Sequence, residues 1–209
     1  MLQLSLMHLP RSHSLRLLTC LLTLFAVGVT QCTLFAAGTT KSSEEQPLYS
    51  PPKKITPRAR VGGDARGTDG TDPEVKALVP DHVGLSTEAQ PQSVWYLSEV
   101  TTYPLEFTII EGTGITPIIE QRLSSPTEPG IQIIRLADFD LNLEKGKTYQ
   151  WFVSLVSDSE HRSTDIITGG MIQVGDVPAS LGENVRKANP VEAARLCAEA
   201  GFWYDAMGI

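Results

Sequence analysis

Alternation of apolar and polar residues in the centre of this chain constrains its fold more than any other feature. Residues 105–109 and 149–155 place apolar side chains, among them Phe107 and Trp151, at every second position. Successive side chains of a β-strand point to opposite faces, so this spacing is typical of strands with one buried face. We therefore predict β-strands in the central part of the chain.

Further strands are predicted where short apolar segments end at turn residues. We place strands near residues 94–100, 105–111, 115–123, 130–136, 148–157 and 165–175, with a weaker one near 83–90. Gly112 and Gly114 fit a tight hairpin, because glycine adopts positive φ without strain. Gly169-Gly170 indicates a bulge or a close approach of two backbones. Several short strands with regular turns predict an all-β domain over residues 77–176, of the immunoglobulin- or fibronectin-like β-sandwich class.

The position of Tyr149 is typical of one feature of such sandwiches. It begins the most aromatic predicted strand, shortly after the turn at Gly146. In a tyrosine corner, the hydroxyl of such a residue bonds the backbone of the preceding turn. We expect this hydroxyl to bond the backbone between Asn142 and Gly146, with an ordinary core tyrosine as the alternative.

Large aromatic side chains of the predicted strands have two possible roles. We expect Trp95, Tyr96 and Trp151 to fill the core, because aromatic residues bury the most apolar area. The alternative is an outward-facing platform that stacks against sugars. Phe107 and Ile109 are expected to be buried with Trp151.

The N-terminal segment has the composition of an export signal. Arg11 and Arg16 precede an apolar run over residues 17–37, and residues 1–38 contain no acidic side chain. A basic segment before an apolar run is typical of a signal peptide, although a run of about 20 apolar residues can also span a bilayer. We expect a signal peptide or an uncleaved membrane anchor, and in either case a periplasmic or extracellular location for residues 39–209.

Two segments flank the predicted sandwich. Residues 39–76 are rich in Pro, Gly, Ser, Thr and charged residues, and they hold too little apolar surface to offset chain entropy. We predict a disordered tether there. Residues 177–209 are predicted to form a short helical tail, in which Asn189 and Pro190 begin a helix and Gly201 ends it.

The end of this tail is the predicted protein-binding surface. Phe202, Trp203, Tyr204 and Met207 put large apolar area on a helix too short to be stable alone. We expect partial docking on the β domain, with one side of Trp203 buried and the remaining apolar surface in contact with a partner protein, and a cap packed entirely on the β domain is the alternative.

Catalytic and metal-binding patterns fail on their details. The calcium-loop-like start at Asp138 and Asp140 has Leu143 where the loop requires glycine. A formal charge of −7 disfavours nucleic acid. We expect no cofactor, no metal and no enzymatic activity. The weak candidates for ligand binding are Arg60, Arg66, Asp158, Arg162 and Asp165.

An ordered set of short motifs resembles the domain of unknown function 928 family, whose members are bacterial and exported. The motifs are Arg60-Val61-Gly62-Gly63, Arg66-Gly67, Ala77-Leu78-Val79-Pro80, Gly84-Leu85-Ser86, Gly146-Lys147-Thr148-Tyr149-Gln150-Trp151, Asp158, Arg162-Ser163, Asp165, Gly170, Ile172-Gln173 and Trp203-Tyr204-Asp205-Ala206. Members usually continue the last helix beyond this final motif, so the resemblance implies a truncated tail here. It implies no activity and no cofactor.

These observations favour a non-catalytic binding or assembly module of the bacterial cell envelope, with a protein or an envelope glycan as its partner. One alternative is a periplasmic sensory accessory subunit whose tail docks on a helical-repeat protein. A less favoured alternative is a hydrolase that uses Asp158, Glu160, His161 or Asp165, the densest group of ionisable side chains.

Overall fold

The computed structural model describes residues 49–52, 61–62 and 72–209. This part of the chain is mostly β-structure in two sheets, followed by short helices. In chain order, the strands are β1 (Val61–Gly62), β2 (Val75–Ala77), β3 (Gly84–Ser86), β4 (Gln92–Leu97), β5 (Leu105–Glu111), β6 (Pro117–Leu123), β7 (Gly130–Arg135), β8 (Thr148–Leu155) and β9 (Ile166–Val174). The helices are α1 (Ala179–Lys187), α2 (Pro190–Glu199) and α3 (Trp203–Gly208).

Strand β9 organises the larger sheet. This six-stranded sheet runs β1-β9-β8-β5-β6, and β3 also pairs with β9. The pairing of β3 with β9 is parallel, whereas β1, β8, β5 and β6 pair antiparallel with their neighbours. The smaller, three-stranded sheet has the order β2-β4-β7 and is antiparallel.

The inner faces of both sheets share one core. Trp95 and Leu97 come from the smaller sheet, whereas Phe107, Ile109 and Trp151 come from the larger one. The last three are 0% exposed, which confirms their predicted burial. Burial of Trp95 and Trp151 also removes them from any outward-facing sugar platform.

Close contacts fix the distance between the two sheets near the middle of β9. The backbone N–H of Ala77 donates to Thr168 Oγ1 at 2.8 Å, which joins β2 to β9. A Cβ atom on Gly170 would lie 2.8 Å from Val79 Cγ1, closer than real Cβ atoms approach. The predicted close approach at Gly169-Gly170 is therefore confirmed, and the small residue lets the chain before β3 pack directly on β9.

Tyr149 makes the predicted contact with the preceding turn. Its hydroxyl accepts a hydrogen bond from the backbone N–H of Glu144 at 3.0 Å, and its side chain is 3% exposed. Gly146 has φ +80 in this turn, a conformation that favours glycine.

The segment that begins like a calcium loop is a structural turn. Leu136–Phe139 form a 3₁₀ helix, and Asp140 follows with φ 53. Phe139 stacks on Phe107 with 5.7 Å between ring centroids, and Leu143 is buried. These apolar side chains close one end of the core.

Three elements were not expected from the sequence. Strand β2 crosses the predicted boundary between tether and sandwich, because three residues are too few to show an alternating pattern. Strand β1 also lies in the segment predicted to be a disordered tether, and it pairs with β9. Helix α1 lies within the predicted tail but precedes its first predicted helix, and Gly182 near its centre weakens the helical pattern.

The rest of the tail follows the sequence prediction. Asn189 Oδ1 accepts the backbone N–H of Glu192 at 3.0 Å, and Pro190 is the first residue of α2. Gly201 ends this region with φ +87. None of the helices in the described ranges has the length and apolarity that a bilayer span requires. The predicted signal or anchor lies outside those ranges.

Candidate functional site

Helix α3 is docked on the β domain through Tyr204. The Tyr204 hydroxyl accepts from the indole N–H of Trp151 at 2.8 Å and donates to the carbonyl of Met171 at 3.1 Å. Burial raises the pKa of Tyr204 well above its usual range. A Cβ atom on Gly84 would lie 2.6 Å from Tyr204 Cε2, so glycine makes room for the ring.

Asp205, the next residue, joins α3 to the segment after β3. Both carboxylate oxygens accept the backbone N–H of Thr87, at 2.9 and 3.1 Å, and Oδ1 also accepts the Thr87 hydroxyl. Burial raises the pKa of Asp205, and the bonds from Thr87 oppose that rise. A half-buried carboxylate held by neutral donors keeps capacity for a further hydrogen-bond donor.

A cleft of about 460 Å³ opens beside Asp205. Its lining includes residues of the segment between β3 and β4 and residues of α1. Tyr204 and Cys197 also line it. Polar side chains in the lining include Thr87, Glu88, Gln92, Arg186 and Asp205, and apolar ones include Val177, Leu181 and Val185. This volume lies within the range of small-molecule and peptide side-chain pockets, and a mostly apolar wall with a few convergent polar groups is typical of binding sites.

Cys197 is the thiol at this cleft. It is 4% exposed, and burial, together with the nearby Asp205 carboxylate, raises its pKa to about 11. A reactive cysteine needs a lowered pKa, because the thiolate is the nucleophile. Cys197 therefore serves as a small buried apolar residue.

Three of the sequence-predicted ligand candidates lie together in the loop between β8 and β9. Arg162 donates to Asp165 Oδ2 at 2.6 Å and to Glu106 Oε2 at 2.5 Å. These bonds, the one to Glu106 first, raise the pKa of Arg162. Asp158 accepts from the backbone N–H of Glu160 and contacts His161 Nδ1 at 2.7 Å, and these bonds lower the Asp158 pKa.

This charged cluster ties the loop to β5. The Asp165 side chain is only 3% exposed, whereas those of Arg162 and Asp158 are about half exposed. The guanidinium of Arg162 is bonded to the carboxylates of Glu106 and Asp165, so this cluster has a structural role and connects the loop to β5. The other two candidates, Arg60 and Arg66, lie outside the described residues. Within the described ranges, no group of three or more His, Cys, Asp and Glu side chains could hold a metal ion.

The predicted partner-binding surface of the tail is largely turned inward. Phe202 and Tyr204 are 4% and 3% exposed, and Trp203 is half-buried with its indole N–H bonded to the carbonyl of Leu78 at 2.9 Å. Met207 remains at the surface. The burial of Phe202 and Tyr204 agrees better with the alternative, a cap packed on the β domain. The short helix is therefore stabilised by its contacts with this domain.

A contact from the N-terminal side also reaches the tail. The ring of Tyr49 stacks on His82 and meets Trp203 edge-on, with centroid distances of 5.7 and 4.9 Å. The backbone N–H of Ser50 donates to the carbonyl of Ala198 at 3.1 Å. Burial raises the pKa of Tyr49 to about 12. No sequence pattern predicted these contacts, because Tyr49 lies in the segment whose composition predicts a disordered tether.

The cleft was also not predicted, although the sequence contains features that point to it. Asp205 and the residue before Thr87 belong to two of the family-like motifs, and the fold brings these motifs together. Leu181 and Val185 have the i, i+4 spacing of a helix face. Only the tertiary contact of α1 and α3 with the β3–β4 segment creates the site.

Fold and site together define a two-sheet β domain with a docked helical tail and a cleft between them. The model of the family described as Domain of Unknown Function (DUF928) matches residues 61–209, and the chain belongs to this family. No curated protein matches the chain. A crystal structure of an engineered protein is similar at 10% identity and a TM-score of 0.32, over 51% of this chain and 21% of that one.

Proposed function

We propose that this protein is a non-catalytic binding module of the bacterial cell envelope, whose cleft takes a short peptide segment of a partner protein. The observation that carries this proposal is the cleft of about 460 Å³ beside Asp205. Its polar and apolar groups converge from three parts of the fold, and this arrangement favours one ligand orientation.

The lining favours a peptide with an apolar side chain next to a basic one. Leu181 and Val185 offer an apolar wall to a leucine-sized group. Asp205 and Glu88 offer carboxylates to an ammonium or guanidinium group, and Asp205 is bonded only by neutral donors in the described contacts. Opposite charges in a partly dehydrated cleft attract more strongly than at an open surface.

Binding is better supported than catalysis by the chemistry of the lining. With a pKa of about 11, roughly one Cys197 thiol in 10⁴ is ionised at pH 7. In the β8–β9 loop, Asp158 is bonded to His161 and Asp165 is bonded to Arg162, which disfavours the hydrolase alternative. Burial of Trp95 and Trp151 likewise disfavours a glycan partner, since stacked sugars need exposed rings.

The accessory-subunit alternative has less support. It needs the large apolar side chains of the tail at the surface, whereas Phe202 and Tyr204 contribute to the interior. The envelope location rests on the basic and apolar character of residues 1–38. A reporter enzyme that is active only outside the cytoplasm, fused after residue 38, tests it. We expect activity, and an inactive fusion that accumulates in the cytoplasm would contradict export.

We also propose that the two-sheet fold is a variant of the immunoglobulin- and fibronectin-like sandwich. The bond from Glu144 to the Tyr149 hydroxyl supports this relationship, because it has the tyrosine-corner arrangement.

Three fluorescein-labelled nonapeptides test the peptide proposal by fluorescence polarisation. Their central residues are Leu-Lys-Leu, Leu-Glu-Leu and Ser-Lys-Ser. We expect the first to bind the full chain at least ten-fold more tightly than the other two, because it alone supplies both apolar and basic groups. Equal binding of all three would contradict the proposal.

Two neighbouring charges of α1 provide a matched pair of variants. Arg186 lines the cleft, whereas Lys187 does not. Arg186→Glu should tighten binding of the Leu-Lys-Leu peptide several-fold, and Lys187→Glu should leave it unchanged. Both side chains are exposed, so neither change should affect folding. Equal effects of the two variants would place the peptide outside the cleft.

A further inference from the structure

The two sheets end in edge strands that differ in their protection. In the described residues, β6 forms one edge of the larger sheet and β7 forms one edge of the smaller sheet, whose other edge is β2. An edge strand presents unpaired backbone N–H and C=O groups that can pair with another chain. Proteins limit such pairing with proline, charged side chains and bulges on the edge.

Strand β6 has these protective features. Pro117 begins the strand, and Glu120 and Arg122 are exposed along it. The register between β5 and β6 shifts between Ile109 and Ile110, which bends the edge. Such a strand is poorly suited to pairing with a further strand.

Strand β7 lacks these features over most of its length. Ile131 and Ile133 are 58% and 44% exposed on its outer face, and the strand has no proline. Its one charged residue, Arg135, is at its end. A regular edge strand with exposed isoleucines is suited to pairing with another strand.

We propose that β7 pairs antiparallel with β7 of a second copy of this chain, centred on Gln132. In this register, Ile131 of each copy lies opposite Ile133 of the other. Directly opposite residues have Cβ atoms about 5 Å apart, so the isoleucines form one apolar patch across the symmetry axis. The same surface serves both copies, as a two-fold interface requires.

The charged residues at the two ends of β7 support a second copy of this chain as the molecule that pairs with this strand. Glu128 lies just before β7 and Arg135 ends it. Antiparallel pairing about Gln132 brings Arg135 of one copy beside residues 128–129 of the other, at both ends of the interface. Neither charge belongs to an ion pair among the described residues, so both are available to the second copy.

Disulfide cross-linking of the full chain tests the register. Cysteine at position 132 of the two copies would face itself across the axis, so we expect Gln132→Cys to give a covalent dimer after mild oxidation. The matched control is Gln121→Cys on β6, which should give several-fold less dimer on a non-reducing gel. Equal yields from the two positions would overturn the proposal, since native cysteines contribute equally to both.

Charge reversal in the Gln132→Cys background tests the ends of the interface. Glu128→Arg or Arg135→Glu alone should lower the dimer yield several-fold, because each creates two like-charge contacts. The double variant should restore the yield by exchanging the charges. Both side chains are exposed, which keeps the fold unchanged. Single variants without effect, or a double variant without rescue, would overturn the proposed pairing.

Discussion

The hydroxyl of Tyr204 lies 2.8 Å from the indole nitrogen of Trp151 and accepts its hydrogen bond. Tyr204 belongs to α3, whereas Trp151 lies in the middle of β8 and is fully buried. The bond therefore makes the helical tail part of the β domain's interior. A partner that competes for the tail would have to break it and expose both aromatic rings.

Removing the Tyr204 hydroxyl should destabilise the protein. Tyr204→Phe leaves the buried indole N–H of Trp151 without its acceptor, and an unsatisfied buried donor costs about 1–3 kcal/mol. Chemical unfolding, followed by tryptophan fluorescence, measures the loss. Tyr96→Phe on the half-buried face of β4 is the control, with an expected change within about 0.5 kcal/mol. Equal effects of the two changes would mean that the Tyr204 bond contributes nothing specific.

Replacing glycine with alanine should have opposite effects on stability at two positions. In Gly84→Ala, the new Cβ would lie 2.6 Å from the Tyr204 ring, which hydrogen bonds hold in place. Overpacking of this kind costs about 1–3 kcal/mol. In Gly182→Ala, the new Cβ meets Val177 at 3.5 Å, an ordinary contact, and helix α1 gains about 0.5–1 kcal/mol. Thermal unfolding of both variants checks the signs, and a stabilised Gly84→Ala would refute the close packing of Tyr204 on β3.

Tyr149→Phe tests the turn before β8. The change removes the acceptor of the Glu144 backbone N–H, so we expect a loss of about 1–3 kcal/mol if the site stays dry. Amide hydrogen exchange at Glu144 should become faster in the variant. Unchanged exchange would show that the hydroxyl does not protect this amide.

Asp205 should give the protein a pH-dependent stability with a defined sign. Its pKa is raised above the ordinary value of 3.8, mainly by burial. Between that value and the raised one, the folded state holds more protons than the unfolded state, so the free energy of unfolding falls as pH rises. Asp205→Asn should remove this fall, because the amide does not titrate.

Urea unfolding of the wild type and Asp205→Asn at closely spaced acidic pH values measures the effect. The stability of the variant relative to the wild type should increase with pH across that window and stay constant above it. A difference that moves in the opposite direction would mean that the bonds from Thr87 outweigh burial.

The sequence predicts the β-strands because apolar side chains alternate with polar ones wherever one face of a strand is buried. Phe107, Ile109 and Trp151 alternate with polar residues, and the faces they define are the faces that the fold buries. The sequences of β2 and α1 have no comparable spacing of apolar residues. Strand β2 is too short to show an alternating pattern. Helix α1 has Leu181 and Val185 at helical spacing, but it contains Gly182 near its centre.

The cleft depends on contacts between distant parts of the chain. Thr87 and Asp205 are far apart in sequence, and neither residue type identifies a partner by itself. The depth to which Phe202 and Tyr204 are buried could not be predicted for a related reason. Apolar area on a short helix indicates that the helix must pack on something, but the pattern is the same for a partner protein and for the chain's own β domain.

The position of β9 determines when this chain can complete its fold. Strands β1 and β3 both pair with β9, which follows them late in the sequence. Synthesis proceeds from the N-terminus, so these strands have no partner until β9 is made, and Trp151 has no acceptor until Tyr204 follows. Contacts between such distant residues also carry a high loop-closure entropy and slow folding. The larger sheet therefore cannot be completed until residues 166–174 have been synthesised, whereas the β5–β6 hairpin and the smaller sheet do not depend on β9.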